Sequence, residues 1–429
     1  VRSGPDGAVW VVDMYRYVIE HPRWIPPETV AELDVRAGHD RGRIYRVAPR
    51  DGRAGWPSVE DARLSQRDAA GLVAAIDSPN GWQRDMAQQL LVWRQEKRAA
   101  SGLQRLLRES ARPETRLHAL ATLDLLGVLE LQDLIQSLAD PHAGVRRHAV
   151  RIAEDRIHAS PELAAALVKV AEDADPQVRL QIAYTLGAWR DRRAAELIAR
   201  MLLRHHADVN VRWALLTSIH ADNIQPVVAA MGRERAEPAA RQAVIPSLIR
   251  LAAALDAADL LEQFVEQLAK EDAADAFRFT ALRELLVASG KGTATSGKSA
   301  SSREALDRVL ADARKAAGSA SLDAELRVMA IRVLGLSQRS REQDLTVLKP
   351  LLSPQAPVSV QAAAVESLTQ MDDPKAVEAM LGGWSSQTPK VRSLVIDALL
   401  QRPRDVGVLL NKIREGAVSA SEKIGRAHV

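Results

Sequence analysis

A short motif that returns along most of the chain limits what this sequence can fold into more than any other feature. A Pro, often with Asp before it, precedes a Val-Arg pair, and Ala and Leu follow at helical spacing. Two copies are plain: Asp140-Pro141 with Val145-Arg146 and Ala149, and Asp175-Pro176 with Val178-Arg179, Ala183 and Leu186. Further copies stand at Asn210-Val211-Arg212, at Pro238 with Arg241, and at Pro389 with Arg392. With the arginine as marker, the series runs Arg84, Arg116, Arg146, Arg179, Arg212, Arg241, Arg278, Arg327, Gln361 and Arg392. The steps are 32, 30, 33, 33, 29, 37, 49, 34 and 31 residues. A period of that size is one pair of short helices. Such a pair cannot bury its own apolar stripe, for example Leu117, Leu120, Leu123 and Leu126, so neighbouring pairs must stack. Pro is tolerated in the first turn of a helix because that N–H is unpaired anyway, and a preceding Asp or Ser can cap it.

The motif resembles the HEAT repeat, including the Val-Arg pair near the start of the second helix. The resemblance implies a mainly α fold, a HEAT-like α-solenoid of about ten helical hairpins over residues 62–422. The single long step contains Ser289 to Ser302, a Gly/Ser/Thr/Lys tract expected to be a flexible insertion over 289–303. Its Gly297-Lys298-Ser299 looks superficially like a phosphate loop, but no buried strand precedes it, and it reads as a linker. The arginine column reads as a structural ladder. Arg84, Arg116, Arg146, Arg179, Arg212, Arg241 and Arg392 are expected to bond carbonyls or aspartates, Asp140 and Asp175 among them, in their own or the next repeat. The functional alternative for that column is a basic stripe for an acidic partner.

Residues 1–50 have a different texture. Six of the fifteen aromatics fall within residues 1–60: Trp10, Trp24, Trp56, Tyr15, Tyr17 and Tyr45. Turn residues are dense there, and strands are expected over Ala8–Asp13, Tyr15–Glu20 and Gly42–Val47. Three strands are too few to bury a core. They fit the last blade of a truncated β-propeller whose other blades would lie upstream of Val1, followed by a linker over 51–61.

Gly4 to Arg16, Val18 to Pro26 and Arg36 to Val47 resemble the end of a dehydrogenase-like β-propeller, and Ser78 to Gln88 resembles the first helical repeat of the same family. That family, abundant in planctomycetes and verrucomicrobia, comprises membrane-bound dehydrogenases or haem-binding CxxCH proteins. The resemblance covers about 1–100. It implies an exported, periplasmic or extracytoplasmic parent with a quinoprotein-like propeller, HEAT-like repeats and a c-type cytochrome module. Haem c, and quinone or calcium, would belong to that parent. With no cysteine, this chain is expected to bind no haem and to carry no cofactor itself. Ile424 to Val429 back-translates to a common sequencing-adapter read, so 423–429 is expected to be a non-native tail.

Asp13, Arg16, His21, His39, Asp40 and Arg41 are the candidate ligand residues, because loop residues at strand ends meet ligands at a propeller mouth. No family residue maps onto them, so no catalytic residue is assigned. Their structural reading is an Asp13–Arg16 turn pair and a His21 loop cap before Pro22. His205-His206 is a poor chelate, since adjacent helical residues point about 100° apart. Asp256, Asp259, Glu262 and Glu266 read as a solvated acidic face, and no metal site is expected.

The chemistry classes narrow further. Absence of cysteine excludes thiol nucleophiles, disulfides and Cys-ligated metals within these residues. Net charge is only +3, from 58 Lys and Arg against 55 Asp and Glu, so the isoelectric point near 9.2 marks no nucleic-acid partner. No membrane span is present in the sequence. The parent reads as a sugar or alcohol dehydrogenase, with this chain as linker or docking surface toward a protein partner or its own cytochrome module. The alternative is a non-enzymatic HEAT-repeat interaction scaffold. A HEAT-type DNA glycosylase would need a groove carrying aromatics, for which Trp189, Trp213 and Trp384 are too scattered.

Overall fold

The computed structural model describes residues 1–19, 21–48, 63–270, 276–288, 299–371 and 373–419. The expected linker at 51–61, the tail at 423–429 and residues 289–298 of the expected insertion lie outside them. The chain divides into two compact units, residues 1–190 and 191–429.

The first unit opens with a three-stranded antiparallel sheet in the order β1 (Arg2–Ser3), β2 (Val9–Asp13), β3 (Arg43–Val47). Val9 pairs with Val47 and Val12 with Ile44. Two of the expected strands form. The third does not: Tyr15 takes a left-handed φ of 49°, which ends the extended chain, and Arg2–Ser3 supplies the third strand instead. Asp6 fixes the connecting turn. Its carboxylate accepts from the Ala8 N–H and Trp10 Nε1, both at 3.1 Å, and from Arg46 Nε at 2.5 Å. Burial alone would raise the Asp6 pKa, but the bonds from Arg46, Trp10 and Ala8 hold it below the ordinary value. The turn sits on the first helical repeat, where Asn80 Nδ2 donates to the Gly4 and Pro5 carbonyls at 3.0 and 2.9 Å.

Among the described residues, twenty-one α-helices follow, from Ala69–Ile76 to Pro403–Arg414. In the first unit the second helices Gly81–Trp93, Pro113–Leu125, Ala143–Ala153 and Pro176–Thr185 pack in succession. In the second unit Pro238–Ala254, Ala276–Ala288, Ala324–Ile331, Val358–Gln370 and Pro389–Leu400 do the same. The motif leucines and valines make these cores: Leu120, Leu123, Val145, Val178, Val211 and Val391 are fully or almost fully buried. Ser299 caps the helix Ala300–Gly318, accepting from the Ser302 N–H at 3.2 Å. The expected insertion therefore already runs as helix from residue 300.

The marker arginine occupies the fourth residue of its helix in nearly every repeat. In the first unit its Nη1 donates to the carbonyl six residues back: Arg84 to Ser78, Arg116 to Ser110, Arg146 to Asp140 and Arg179 to Asp173, all at 2.8 Å. That carbonyl lies in the turn between the two helices, where no intrahelical donor can reach it. Arg116 also holds Asp140 of the next repeat through Nε and Nη2 at 2.7 and 2.8 Å, and Arg146 holds Asp173 at 2.6 and 2.8 Å. Each aspartate thus takes one arginine on its side chain and the next on its carbonyl, and the hairpins are riveted in sequence. Asp175 is not part of this ladder. It caps its helix by accepting from the Gln177 and Val178 N–H groups, and Asp173, two residues earlier, is the ladder carboxylate. The reason is reach, because the Asp175 side chain faces its own first turn.

The second unit varies the theme. Arg212 donates to the His206 carbonyl, Arg278 to Leu268 at 2.7 Å, Arg327 to Ala317 at 3.2 Å and Arg392 to Trp384 at 2.9 Å. Gln361 reaches the Ser353 carbonyl at 2.7 Å, and Arg241 lies over the Phe277 ring at 5.3 Å. Glu262 and Glu266 are not merely solvated. They accept from the Ser299 N–H at 3.3 Å and the Ser301 hydroxyl at 2.6 Å, and so hold the start of the helix Ala300–Gly318.

Asp140 and Arg116 side chains are only 8% and 11% exposed. Asp140→Ala should therefore lower unfolding stability by about 3 kcal/mol, the cost of stranding a buried guanidinium, whereas Asp175→Ala should cost about 1 kcal/mol as a lost cap. Equal losses in urea melts would refute the assignment of the ladder. A second expectation concerns acid. Burial would raise the Asp173 pKa, but bonds from Arg146 and the Asp175 N–H hold it below 3.8. A lowered folded-state pKa gives stability that is complete above the unfolded-state value and is lost as pH falls through the folded-state one. Urea melts of the native chain and Asp173→Asn should differ at neutral pH and begin to converge only as pH falls below about 4.

Candidate functional site

Two places gather the side chains that could meet a ligand. The first is a cleft beside the sheet, where loops 14–17 and 34–41 face each other. Its lining includes Asp13, Arg16, His39, Asp40 and Arg41, so five of the six candidates converge. His21 does not join them: its Nδ1 accepts from the Arg23 N–H at 3.2 Å and closes a local turn.

The loops are knit by their own backbone. Arg16 Nη2 donates to the Val35 carbonyl at 2.8 Å, and the Tyr17 N–H to the Ala37 carbonyl at 3.2 Å. Gly38 sits at φ +78°, where an added Cβ would fall 1.8 Å from the Tyr15 carbonyl oxygen. Only glycine allows that approach. Asp13 does not pair with Arg16. It accepts from the Tyr15 N–H at 2.8 Å and from Arg43 Nε at 3.2 Å, because the strand register sets Arg43 directly opposite. His39 Nδ1 meets the Arg36 carbonyl at 3.0 Å. Asp13, Arg16 and His39 thus spend polar atoms on holding the loops.

The second place was not legible as a site in the sequence. Counted from the marker arginine, Trp93 and Leu125 stand nine residues on, Tyr184 five, Trp213 one and Val287 nine. Steps of four residues return to one side of a helix with a drift of about 40°. All five lie on second helices, and all are exposed, from 72% for Trp93 to 50% for Val287. In the first unit Trp93, Leu125 and Tyr184 fall within about 40° of one another around the helix, whereas Trp213 and Val287 in the second are about 80° apart on its outward side. The ladder is what makes this readable, because it fixes which side of each second helix faces inward. Between them in the first unit, His118 Nδ1 contacts Gln88 Oε1 at 2.6 Å across repeats. Burial pushes the His118 and His148 pKa values below the ordinary imidazole range.

Trp189 and Trp384 are buried at 3% and 7% and are core residues, so the aromatic groove that base recognition requires is not assembled from the three tryptophans. His206 Nδ1 meets the Leu203 carbonyl at 2.9 Å and His142 caps its own helix. Among the described residues, no group of three or more His, Asp or Glu is placed to hold a metal ion, and no helix is long and apolar enough to cross a membrane.

Comparison with known proteins agrees with this architecture. Residues 131–219 and 311–400 match the model for HEAT repeats, and residues 1–51 match a domain of unknown function, DUF7133. Neither is a dehydrogenase or cytochrome model. No curated protein matches the sequence. Among solved structures, the karyopherin Kap121p bound to the extreme C-terminus of the protein phosphatase Cdc14p is 13% identical, with a TM-score of 0.48 over 80% of this chain and 43% of that one. Kap121p bound to RanGTP is 14% identical, with a TM-score of 0.48 over 83% of this chain and 44% of that one. The chain spans less than half the length of these structures. The chain is a mainly α, HEAT-like solenoid with a small antiparallel sheet at its start.

The sheet leaves Val12 70% and Ile44 63% exposed on one face, and Val9 42% and Val47 57% exposed on the other. With so little buried, amides in 1–48 should exchange with deuterium faster than those of the helices in the same unit. Gly38→Ala should speed exchange further in 14–17 and 34–41 alone. Protection in 1–48 equal to that of the helices would contradict this account.

Proposed function

We propose that this chain is a non-catalytic protein-docking scaffold, whose HEAT repeats present the exposed second-helix stripe to a protein partner. The observation that carries the reading is the shared register of Trp93, Leu125 and Tyr184 in the first unit, with Trp213 and Val287 exposed on second helices of the second. Exposed aromatics held on rigid helices are the side chains that dominate binding energy at protein interfaces. The ladder supplies rigidity, since hairpins fixed to their neighbours hold such groups without further ordering cost.

The test is site-directed capture. A photo-crosslinking amino acid at position 184 should trap a discrete protein from an extract of the source cells. The same label at position 105, on the exposed side of a first helix, should not. Trp93→Ser with Leu125→Ser should abolish the capture while the melting temperature stays within about 2 °C, as expected for surface positions. Equal capture from both positions would sink the reading.

A second reading is favoured by the sheet, whose apolar residues lie on both faces as they do in a strand layer covered on both sides. On that reading the chain belongs to an exported, periplasmic or extracytoplasmic, dehydrogenase-like parent. Its propeller would end in residues 1–50, with haem c and quinone or calcium held elsewhere in that parent. The repeats would then link the propeller to a cytochrome module. Purified full-length parent would show a haem absorbance band and reduce an electron acceptor when given a sugar or alcohol. A parent without that band would leave the scaffold reading alone.

A further inference from the structure

The second unit contains an arginine-lined pocket of about 530 Å³ that none of the repeat logic requires. Arg283, Arg341, Arg402 and Arg404 line it, with Leu286, Val287 and Leu336 as apolar walls. Their positions come from three places in the repeat series. Arg283 and Val287 lie on the helix Ala276–Ala288, Arg341 opens the helix Arg341–Leu348, and Arg402 and Arg404 flank the start of Pro403–Arg414. The two latter helices begin here, so their N-terminal turns add positive potential to that of the side chains.

Two carboxylates in contact with these arginines are each shared between two of the chain's arginines. Asp405 contacts Arg402 at 3.0 Å and Arg404 at 3.6 Å, and Glu284 contacts Arg283 at 3.6 Å while it also takes Arg250 at 2.7 Å. Arg402 in addition donates to the Thr369 carbonyl. Arg283 keeps a buried Nε without a hydrogen-bond partner, the kind of group that costs stability until an acceptor arrives. Val287 belongs both to this pocket and to the exposed residues of the second unit's second helices, so the pocket adjoins that unit's part of the proposed docking face.

We infer that this pocket binds an acidic peptide segment of the partner protein, with Glu or Asp carboxylates on the guanidinium groups and a neighbouring apolar side chain against Leu286, Val287 and Leu336. The mixed lining favours such a segment over an inorganic anion, which would leave the apolar walls in water. The inference rests on the scaffold reading and names the chemistry of its partner.

Fluorescence anisotropy tests it with the whole chain and a short fluorescein-labelled peptide that alternates Glu with Leu. The peptide should bind, and binding should weaken as salt rises. Arg283→Gln and Arg404→Gln should each weaken it about tenfold, the loss expected for one charge-assisted hydrogen bond. Arg105→Gln, exposed and outside the pocket, should leave it unchanged, and circular dichroism melts would verify that each variant is folded. Equal binding of the Gln/Leu counterpart, indifference to both pocket variants, or displacement by inorganic phosphate at concentrations that leave ionic strength unaltered would overturn the inference. Tighter binding of a single-stranded oligonucleotide would overturn it in favour of nucleic acid. Loss of peptide binding with cross-link capture at position 184 intact would remove this assignment alone, while the reverse result would remove the docking face and leave the pocket.

Discussion

The architecture depends on one contact, the donation from an arginine in the first turn of a second helix to the carbonyl of the turn before it. A helical hairpin leaves carbonyls unpaired where the first helix stops. The long, forked guanidinium can reach back from the fourth residue of the next helix and satisfy one of them while its other nitrogens remain available. In the first unit those nitrogens take Asp140 and Asp173 of the following repeats, which turns a local closure into a continuous ladder. Lysine could not do both, since a single ammonium lacks the flat, two-sided geometry.

That contact also explains why the exposed stripe exists. Once the arginine is fixed, every other residue on the second helix has a determined direction, inward for Val145, Val178 and Val391 and outward for Trp93, Tyr184 and Trp213. Within each unit, such a rack of outward side chains suits recognition better than chemistry, because successive repeats set their side chains out in a row and do not converge them on one reacting atom. The cleft beside the sheet is the counterexample. There loops do converge charged groups, yet Asp13, Arg16 and His39 are occupied by Arg43, Val35 and Arg36.

Much of the helical fold was legible because its signals are local. Pro at the first turn, the Val-Arg pair and the spacing of leucines each act within one helix, so the sequence alone placed the repeats and their marker. The errors arose where a contact crossed between elements. Asp175 looked like the ladder carboxylate because it lies nearer to Arg179 in the chain, but its side chain is taken by its own helix, and Asp173 receives Arg146 from the repeat before. Tyr15–Glu20 had the composition of a strand, and a left-handed Tyr15 followed by the close approach of Gly38 prevented it. The acidic run at 256–266 looked solvated, and two of its members hold serines from a distant helix start.

By itself the sequence determined that this chain is a stack of short helical pairs, because periodic burial and helix-start residues are properties of neighbours along the chain. It also determined that residues 1–50 are something else, from their turns and aromatics. Only the tertiary structure decided which aspartates bridge repeats, that Trp189 and Trp384 belong to cores while Trp93 and Trp213 face solvent, and that Arg283, Arg341, Arg402 and Arg404 share one pocket. Those outcomes depend on the rotation of each helix about its axis and on stacking between residues more than a hundred positions apart, and no local pattern encodes either.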